Sequence, residues 1–267
     1  MKTFVLPDGR RLAYRESGSG PALVMLHGWS MSSAVFSEAI EAFSSSFRVL
    51  APDLRGHGES EPGLGYRLAD LAGDVTAWLE QTVEDEVSLL GWSLGGQVAL
   101  RLTGKLRKKV ARVILQSTTP RFVAGDGWSA GLPAGQVKAM RRDLRRNYRK
   151  AMGDFFSRQF EEGEMSQERF WRVVDFAVRA GRLPPDEVAL ETLDTLAQTD
   201  LRAELSQIDV PVLVVHGEMD RIIPFAAGAY LAEQMSFARL AALPGAGHAP
   251  FLSYPEDVFA LWREFLP

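Results

Sequence analysis

The chain has 267 residues, of which 46% are hydrophobic, a formal net charge of −4 and no cysteine. This length and apolar content predict a single domain with a large core. The acidic balance argues against a general nucleic-acid-binding protein, and the lack of cysteine excludes disulfides, thiolate nucleophiles and cysteine-bound zinc. No apolar run approaches the roughly 18 residues of a membrane span. The stretch MKTFVLPDGRRLAY breaks its apolar run too early for a signal peptide, so we expect a cytoplasmic protein.

The first predicted elements form a hairpin, because the turn Pro7-Asp8-Gly9 separates two strand-like stretches. Continuous apolar runs follow, which are typical of parallel strands covered on both faces. In chain order these runs are ALVMLHG, FRVLAPD, VSLLGW, VARVILQS and VPVLVVHG, and ARLAALP comes later. Helical spacing lies between them, for example at Leu68 to Val83 and at Leu94 to Leu106. Strands that alternate with helices predict a doubly wound, mostly parallel α/β sheet.

The alternation stops from about Pro120 to Asp200, where the chain is helical and charged. An insertion between two strands is the simplest explanation. We therefore expect a core formed by residues 1–119 and 200–267. Residues 120–199 would form a helical cap over it, which we call the lid segment.

The stretch GWSLGG joins the run VSLLGW to the helix that begins near Leu94. It matches Gly-x-Ser-x-Gly, a pattern that presents a nucleophilic serine at a strand-to-helix turn. Such a sharp turn needs small neighbours, here Gly91, Gly95 and Gly96, so that the backbone can pass closely. Ser93 has an alternative role as the N-cap of the helix, but a cap requires none of these glycines. We predict that Ser93 is a nucleophile.

A serine nucleophile needs a base, and the base needs an acid that orients it. The chain offers four histidines as the base. His27, His57 and His216 lie at strand ends or in a glycine-rich loop, and we interpret them as structural. His248, in the loop PGAGHAPF, is the one histidine that follows every core strand. We predict that His248 is the base.

The acid lies between the serine and the histidine along the chain in this architecture. The stretch VVHGEMDRIIP offers Asp220 at this place, with Glu218 as the alternative acid. We favour Asp220 because it leads into RIIP, where the loop turns away. The alternative explanation is that an acid in this loop is only a solvated surface charge.

Acyl transfer also needs donors for the oxyanion that develops on the carbonyl oxygen. One predicted donor is the backbone N–H of Leu94, which directly follows the nucleophile. The other is the backbone N–H of Trp29, in the loop after ALVMLHG, where Gly28 allows close approach. A plain strand-to-helix connection is the alternative role of that loop.

The motifs HGW, DLRGHGES, GWSLGG, HGEMD and GAGHAPF, in this order, resemble the α/β-hydrolase superfamily. With STTPRF, GDGW, LDTLAQTDLR and GHAPFLSYP, the chain is similar to the pimeloyl-acyl-carrier-protein methyl ester esterases of biotin synthesis. The resemblance implies an α/β-hydrolase fold with an inserted helical lid, and a Ser-His-Asp triad without cofactor or metal. It places the triad on Ser93, Asp220 and His248. It assigns substrate contacts to Trp29, Ser93, Leu94, His248 and the lid residues Phe155, Phe156, Ser157, Arg158 and Gln159.

A basic face within the lid segment supports this reading independently. Seven basic residues stand against one acid, Asp143, and they are Lys138, Arg141, Arg142, Arg145, Arg146, Arg149 and Lys150. Apolar residues share the opposite side at helical spacing, namely Val137, Met140, Leu144, Ala151 and Phe155. A solvated surface is the alternative explanation of such a charge cluster. Acyl carrier proteins are acidic, and we predict that one docks on Arg142, Arg145, Arg146, Arg149 and Lys150.

Three kinds of function fit the sequence. The first is a serine carboxylesterase that acts on a pimeloyl methyl ester bound to an acyl carrier protein. The second is another reaction of the same triad, by a general short-chain carboxylesterase, a C–C hydrolase or a perhydrolase. The third is a non-catalytic ligand receptor of this fold. We expect a monomer that binds neither nucleic acid nor a membrane.

Overall fold

Eight strands form the central sheet of the computed structural model, which describes residues 1–106 and 108–267. The strands are β1 (Lys2–Val5), β2 (Arg11–Ser17), β3 (Ala22–Leu26), β4 (Arg48–Pro52), β5 (Val87–Trp92), β6 (Val110–Gln116), β7 (Val212–Gly217) and β8 (Ala238–Leu243). Their order across the sheet is β1-β2-β4-β3-β5-β6-β7-β8. The pairs β1–β2 and β2–β4 are antiparallel, and the other neighbouring pairs are parallel. The predicted opening hairpin and the mostly parallel α/β sheet are confirmed.

Helices connect the parallel strands, and two more follow the last strand. They are α1 (Ser37–Phe43), α2 (Leu68–Thr82), α3 (Leu94–Lys105), α4 (Ala134–Arg146), α5 (Tyr148–Ser157), α6 (Gln167–Val173), α7 (Asp186–Gln198), α8 (Phe225–Gln234), α9 (Pro250–Ser253) and α10 (Pro255–Phe265). Short 3₁₀ helices lie at Ser33–Phe36 and Arg202–Gln207, and a π-helical stretch, Val174–Arg179, continues α6. Within the described residues, no helix is long and apolar enough to cross a membrane.

The central strands bury both of their faces. Val24 of β3 belongs to an apolar cluster that includes Val98 of α3. Its neighbour Leu23 belongs to a second cluster, which includes Trp262 of α10. Successive side chains of a strand point to opposite faces. Both faces are therefore apolar, which explains why the predicted strands are continuous hydrophobic runs and do not alternate with polar residues.

Helices α4 to α7 lie between β6 and β7, where the sequence predicts the lid segment. Their apolar side chains join both clusters, for example through Leu144 of α4 and Phe156 of α5. Arg169 of α6 fastens this segment to the rest of the chain. Its guanidinium donates to both carboxylate oxygens of Glu38, at 2.6 and 2.5 Å, and to the carbonyl of Leu252. The bounds of the lid segment stay a prediction.

Candidate active site

Ser93 lies at the turn between β5 and α3, as the pattern GWSLGG predicts. Its backbone has a φ of +55° and a ψ of −117°, which is a strained conformation for a residue with a side chain. Its side chain makes no capping hydrogen bond to α3. The structure therefore does not support the N-cap role. The strained turn holds the hydroxyl at the carboxyl edge of the sheet, as in a nucleophile elbow.

Glycines around this turn allow three pieces of the chain to meet. A Cβ on Gly91 would lie 2.4 Å from the carbonyl oxygen of Gly95, and one on Gly95 would lie 2.0 Å from that of Leu26. A Cβ on Gly96 would lie 2.6 Å from the side chain of Thr118. Real Cβ atoms do not approach other atoms this closely, so the turn requires glycine at all three positions. The sequence pattern thus follows from close packing.

His248 and Asp220 form a buried pair. The Nδ1 atom of His248 lies 2.7 Å from Oδ2 of Asp220, and the two side chains are 1% and 0% exposed. The backbone N–H groups of Ile222 and Ile223 both donate to Oδ1 of Asp220, at 2.8 Å. Because Nδ1 donates to a carboxylate, Nε2 is free to act as a base. Glu218, the alternative acid, is exposed, so the geometry favours Asp220.

A second imidazole, that of His216, also contacts Asp220. Its Nε2 atom lies 2.9 Å from the carbonyl oxygen of Ile223 and 3.2 Å from Oδ2 of Asp220. Both neighbours are acceptors, so Nε2 carries the proton. Burial alone would raise the pKa of Asp220, but the attraction and hydrogen bonds of His248 and His216 outweigh it and hold that pKa below its ordinary value. The carboxylate stays ionised and can orient His248.

Trp92 fastens the loop of His248 to the strand that ends at the nucleophile turn. Its indole N–H donates to the carbonyl oxygen of His248 at 3.0 Å, and the two ring centroids are 5.6 Å apart. Trp92 directly precedes Ser93 in the chain, so the loop of His248 packs against the nucleophile turn. The sequence shows both residues but not this contact.

His27 and His57 are structural, as the sequence indicates. His27 donates from Nδ1 to the carbonyl of Gly28 and accepts at Nε2 from the N–H of Leu54, each at 2.9 Å. His57 donates from Nδ1 to the carbonyl of Arg55 at 2.9 Å. Burial lowers the pKa of His27 to about 4 and that of His57 to about 3, so both are neutral at pH 7. Across the described residues, no group of three or more His, Asp or Glu side chains is arranged to hold a metal ion.

Two backbone N–H groups beside the serine fit the predicted oxyanion donors. Among the described residues, the amides of Leu94 and Trp29 have no acceptor within the protein. Leu94 is the first residue of α3, where the helix dipole favours negative charge. A Cβ on Gly28 would lie 3.3 Å from Cβ of Ser93, so the loop that carries Trp29 comes up against the nucleophile. The oxyanion role of these two amides stays a prediction.

The side chain of Trp29 connects this loop to the lid segment. Its indole N–H donates to the carbonyl of Ala189 on α7 at 3.0 Å. Its ring meets the ring of Phe155 edge-on, with 4.8 Å between centroids. Phe155, a predicted substrate contact, thus lies next to the loop of the predicted oxyanion donor.

Three other predicted lid contacts lie in different places. Phe156 is 4% exposed and, with Ser157 and Met31, lines an apolar cavity of about 300 Å³. Arg158 is exposed and lines a neighbouring surface cavity, which shares Ser157 with the first. Phe156 thus lines the apolar cavity, Arg158 lines its neighbour, and Ser157 lies between the two.

Gln159 lies directly beside the loop of His248. Its backbone carbonyl accepts from the N–H of His248 at 2.7 Å. Its side chain is fully buried, and neither Oε1 nor Nε2 has a partner within the protein. Buried amides are nearly always hydrogen-bonded, so the unpaired amide of Gln159 is an exception.

The predicted docking residues lie on the outer surface of α4 and α5. All of them are exposed, and they are Arg142, Arg145, Arg146, Arg149 and Lys150. The two helices are separated at Asn147, whose side chain accepts from the N–H of Lys150 at 3.1 Å and so begins α5. On the opposite side, Val137 and Leu144 are buried in the core, as the helical spacing predicts.

The sheet order, the strained serine and the buried acid–base pair can be compared with known families. The sequence profile of the alpha/beta hydrolase fold matches residues 21–255. The chain belongs to the α/β-hydrolase family. The predicted fold class is thereby confirmed.

Similar α/β hydrolases extend over nearly the whole chain. The chain is 36% identical over 245 residues to a pimeloyl-[acyl-carrier protein] methyl ester esterase of Nitrosomonas europaea, covering 90% of this chain and 94% of the relative. It is also 36% identical over 265 residues to the protein of that name from Nitrosospira multiformis, covering 94% and 97%. Among solved structures, an esterase from Exiguobacterium antarcticum has a TM-score of 0.91 at 25% identity, covering 98% of both chains. The resemblance read from the motifs is confirmed.

Two features of this α/β-hydrolase site were not predicted. His216 is interpreted from the sequence as structural only, yet it contacts Asp220; its place at the end of β7, four residues before the acid, is the signal. Glu164 of the lid segment accepts from the N–H of Gly247, next to His248, at 3.0 Å. That contact joins residues 83 apart in the chain, and no local pattern indicates it.

Proposed function

We propose that the chain is a serine carboxylesterase that hydrolyses the methyl ester of pimeloyl-acyl carrier protein and frees the terminal carboxylate for biotin synthesis. The observation that carries this proposal is the buried His248–Asp220 pair, whose loop packs through Trp92 against the strained turn of Ser93. It occurs in a chain that is 36% identical to relatives named for this reaction. In the proposed reaction Ser93 is the nucleophile, His248 the base and Asp220 the acid that orients the base.

The first half of the reaction forms an acyl-enzyme. The hydroxyl oxygen of Ser93 attacks the carbonyl carbon of the methyl ester, while Nε2 of His248 takes the hydroxyl proton. The negative charge on the former carbonyl oxygen is met by the N–H groups of Leu94 and Trp29. As the tetrahedral intermediate collapses, the bond to the methoxy oxygen breaks, and His248 returns its proton so that methanol leaves.

The second half releases the product. Nε2 of His248 takes a proton from water, and the hydroxide oxygen attacks the carbonyl carbon of the acyl-enzyme. When the bond to the oxygen of Ser93 breaks, the serine regains its proton from His248. The pimeloyl group leaves with a free carboxylate at its end and its thioester to the carrier intact.

Lid residues supply the proposed contacts to the substrate. The amide of Gln159, which has no partner within the protein, would pair with polar groups of the bound ester. An unpaired buried polar group costs about 1–3 kcal/mol, and a ligand that pairs with it removes this cost. Phe155 and Trp29 offer apolar surface for the methylene chain, and the cavity lined by Phe156 and Ser157 offers more.

The charges of α4 and α5 support a carrier-docking surface, which we define as Arg142, Arg145, Arg146, Arg149 and Lys150. Within the described residues Arg145, Arg146 and Arg149 have no ion-pair partner, whereas Lys150 pairs with Asp154 at 2.6 Å. Arg141, the half-buried member of the basic run, pairs with Asp194 of α7. A chain with a net charge of −4 thus carries free positive charge on the lid segment. Such a surface attracts an acidic partner.

Charge reversal tests the docking surface. In the double variant Arg145→Glu/Arg146→Glu we expect KM for the carrier-bound ester to rise about tenfold, a change that corresponds to about 1.4 kcal/mol of binding. The turnover of a short free ester should stay unchanged, because these side chains would contact only the carrier. Steady-state kinetics with both substrates measure the difference.

The matched control is Lys105→Glu/Lys108→Glu, which makes the same charge change elsewhere. Lys105 ends α3, about 17 Å along the helix from its first residue beside the serine, and both lysines are exposed. Added salt should weaken the wild-type preference for the carrier-bound ester, since at 1 M ionic strength the Debye length falls to about 3 Å. If the two double variants raise KM equally, the basic face is a solvated surface and not a docking site.

A cytoplasmic location and a monomeric state stay predictions from the sequence.

A further inference from the structure

One short stretch of the lid segment, residues 159–164, contacts both loops that carry the proposed acid and base. Its first residue, Gln159, accepts through its backbone carbonyl from the N–H of His248 at 2.7 Å. Its last residue, Glu164, accepts from the N–H of Gly247 at 3.0 Å. Two successive amides of the histidine loop are therefore hydrogen-bonded to the lid segment and not to the sheet that carries the serine. We call residues 159–164 the clamp.

Glu164 is the most buried acid of the clamp. Its side chain belongs to a residue that is 7% exposed, and its carboxylate accepts from three donors. Oε2 accepts from the N–H of Glu161 at 2.6 Å and from the N–H of Gly247, and Oε1 accepts from the hydroxyl of Ser253. Gly247 precedes His248, and Ser253 ends α9, which follows it. One carboxylate thus holds the histidine loop on both sides of the base.

Gly247 shows how closely the clamp packs on this loop. A Cβ at this position would lie 2.4 Å from the carbonyl oxygen of Gln159 and 2.9 Å from Oε2 of Glu164. Only glycine leaves room for both contacts. The hydrogen bonds between the clamp and the loop are therefore part of a closely fitted interface.

The clamp also reaches the loop of the acid. Glu161 pairs through its carboxylate with Arg221, the residue that follows Asp220. The side chain of Arg221 is 63% exposed, and exposed ion pairs contribute little to stability. Among the side-chain contacts of the clamp, those of Glu164 are therefore the ones whose loss should matter.

We propose that Glu164 is a positioning residue for His248. By accepting from Gly247 and Ser253, its buried carboxylate fixes the histidine loop so that Nδ1 meets Asp220 and Nε2 can serve as the base. The lid segment then serves the chemical step in addition to substrate recognition. This inference rests on the proposed function, because it assigns His248 as the base.

Three substitutions of Glu164 separate positioning from a general effect on the fold. Glu164→Ala removes every acceptor, and we expect kcat on a short free ester to fall about 10²-fold with KM unchanged, since a displacement of about 1 Å at the base has this effect. Glu164→Gln should keep near wild-type kcat, because the amide oxygen can accept from both backbone N–H groups while its NH₂ donates to Ser253. Glu164→Asp shortens the side chain by one methylene, and its kcat should lie between those of the alanine and glutamine variants. Glu162→Ala, an exposed glutamate of the same clamp, is the matched control and should match the wild type.

A spectroscopic readout makes the test independent of turnover. The imidazole N–H of His248 that donates to Asp220 should give a far-downfield proton NMR resonance in the wild type, Glu164→Gln and Glu162→Ala. We expect this resonance to broaden or vanish in Glu164→Ala, because the loop is then free to move. Circular dichroism and the unfolding midpoint confirm that each variant is folded at the assay temperature.

The possible outcomes are distinct. A folded Glu164→Ala that keeps wild-type kcat and the resonance overturns the positioning role, and so does a Glu164→Gln that loses as much activity as the alanine variant. If Glu164→Ala does not fold, the other two variants decide: the proposal requires a higher kcat for Glu164→Gln than for Glu164→Asp. Equal kcat values for these two variants would count against it. A wild type that hydrolyses no ester contradicts the proposed function, whereas the NMR comparison still reports whether Glu164 holds the loop.

Discussion

Replacing Ser93 by alanine should abolish ester hydrolysis while leaving the fold intact. Loss of a triad serine costs on the order of 10⁶ in kcat, because neither the base nor the acid has a nucleophile to act on. The side chain of Ser93 makes no hydrogen bond to α3, so its removal costs no helix cap. Turnover of a chromogenic ester and the unfolding midpoint are the two measurements.

Covalent labelling gives the matching control. A fluorophosphonate should modify the wild type at one position, Ser93, and should leave Ser93→Ala unlabelled. Ser30 offers a comparison, because it is also buried and also has a positive φ, +57°. Ser30→Ala should be labelled like the wild type. Labelling at any serine other than Ser93 would assign the nucleophile elsewhere.

Replacing Asp220 by asparagine should lower kcat by about 10⁴. The N–H groups of Ile222 and Ile223 both point at Oδ1, so the asparagine would place its oxygen there and its NH₂ toward His248. Nδ1 of His248 would then have to accept, which puts the proton on Nε2. In that tautomer the imidazole cannot take the proton of Ser93.

Glu218→Gln is the matched control for the acid. Glu218 lies in the same loop but is exposed, and its substitution should leave kcat within about twofold of the wild type. Steady-state kinetics on one short ester rank the two variants. The opposite ranking would transfer the orienting role to Glu218.

The sequence predicts the sheet well because its central strands are buried on both faces. Val24 and Leu23 face different apolar clusters, and this double burial is what makes the runs continuous and easy to recognise. The nucleophile turn is equally easy to recognise in the sequence, since Gly91, Gly95 and Gly96 are each required by a close contact. Where packing leaves only one residue type possible, the pattern is visible in the chain.

The choice between the two acids of one loop depends on tertiary structure and not on the local residue pattern. Asp220 and Glu218 are two residues apart, and both carry a carboxylate. Only the path of the loop buries Asp220 against His248 and leaves Glu218 exposed. Chain order narrows the candidates, and tertiary structure selects between them.

The contacts of the lid segment could not be predicted from the sequence, because they depend on tertiary structure. The helical spacing of α4 and α5 predicts their basic and apolar sides, but not that Arg141 pairs with Asp194 across to α7. Glu164 looks like one more surface acid in a charged stretch, yet it is buried against the loop of His248. Such contacts form where segments that are far apart in the chain come together, and the neighbouring residues in the sequence do not indicate them.

Methanol release from the methyl ester of pimeloyl-acyl carrier protein is the decisive measurement of the proposed function. We expect the wild type to release one methanol per ester and to leave the thioester to the carrier intact, and we expect Ser93→Ala to release none. Mass spectrometry of the carrier with gas chromatography of the methanol follows both bonds at once. Hydrolysis of a short chromogenic ester without methanol release from the carrier-bound ester, or cleavage of the thioester instead, would contradict the proposed function.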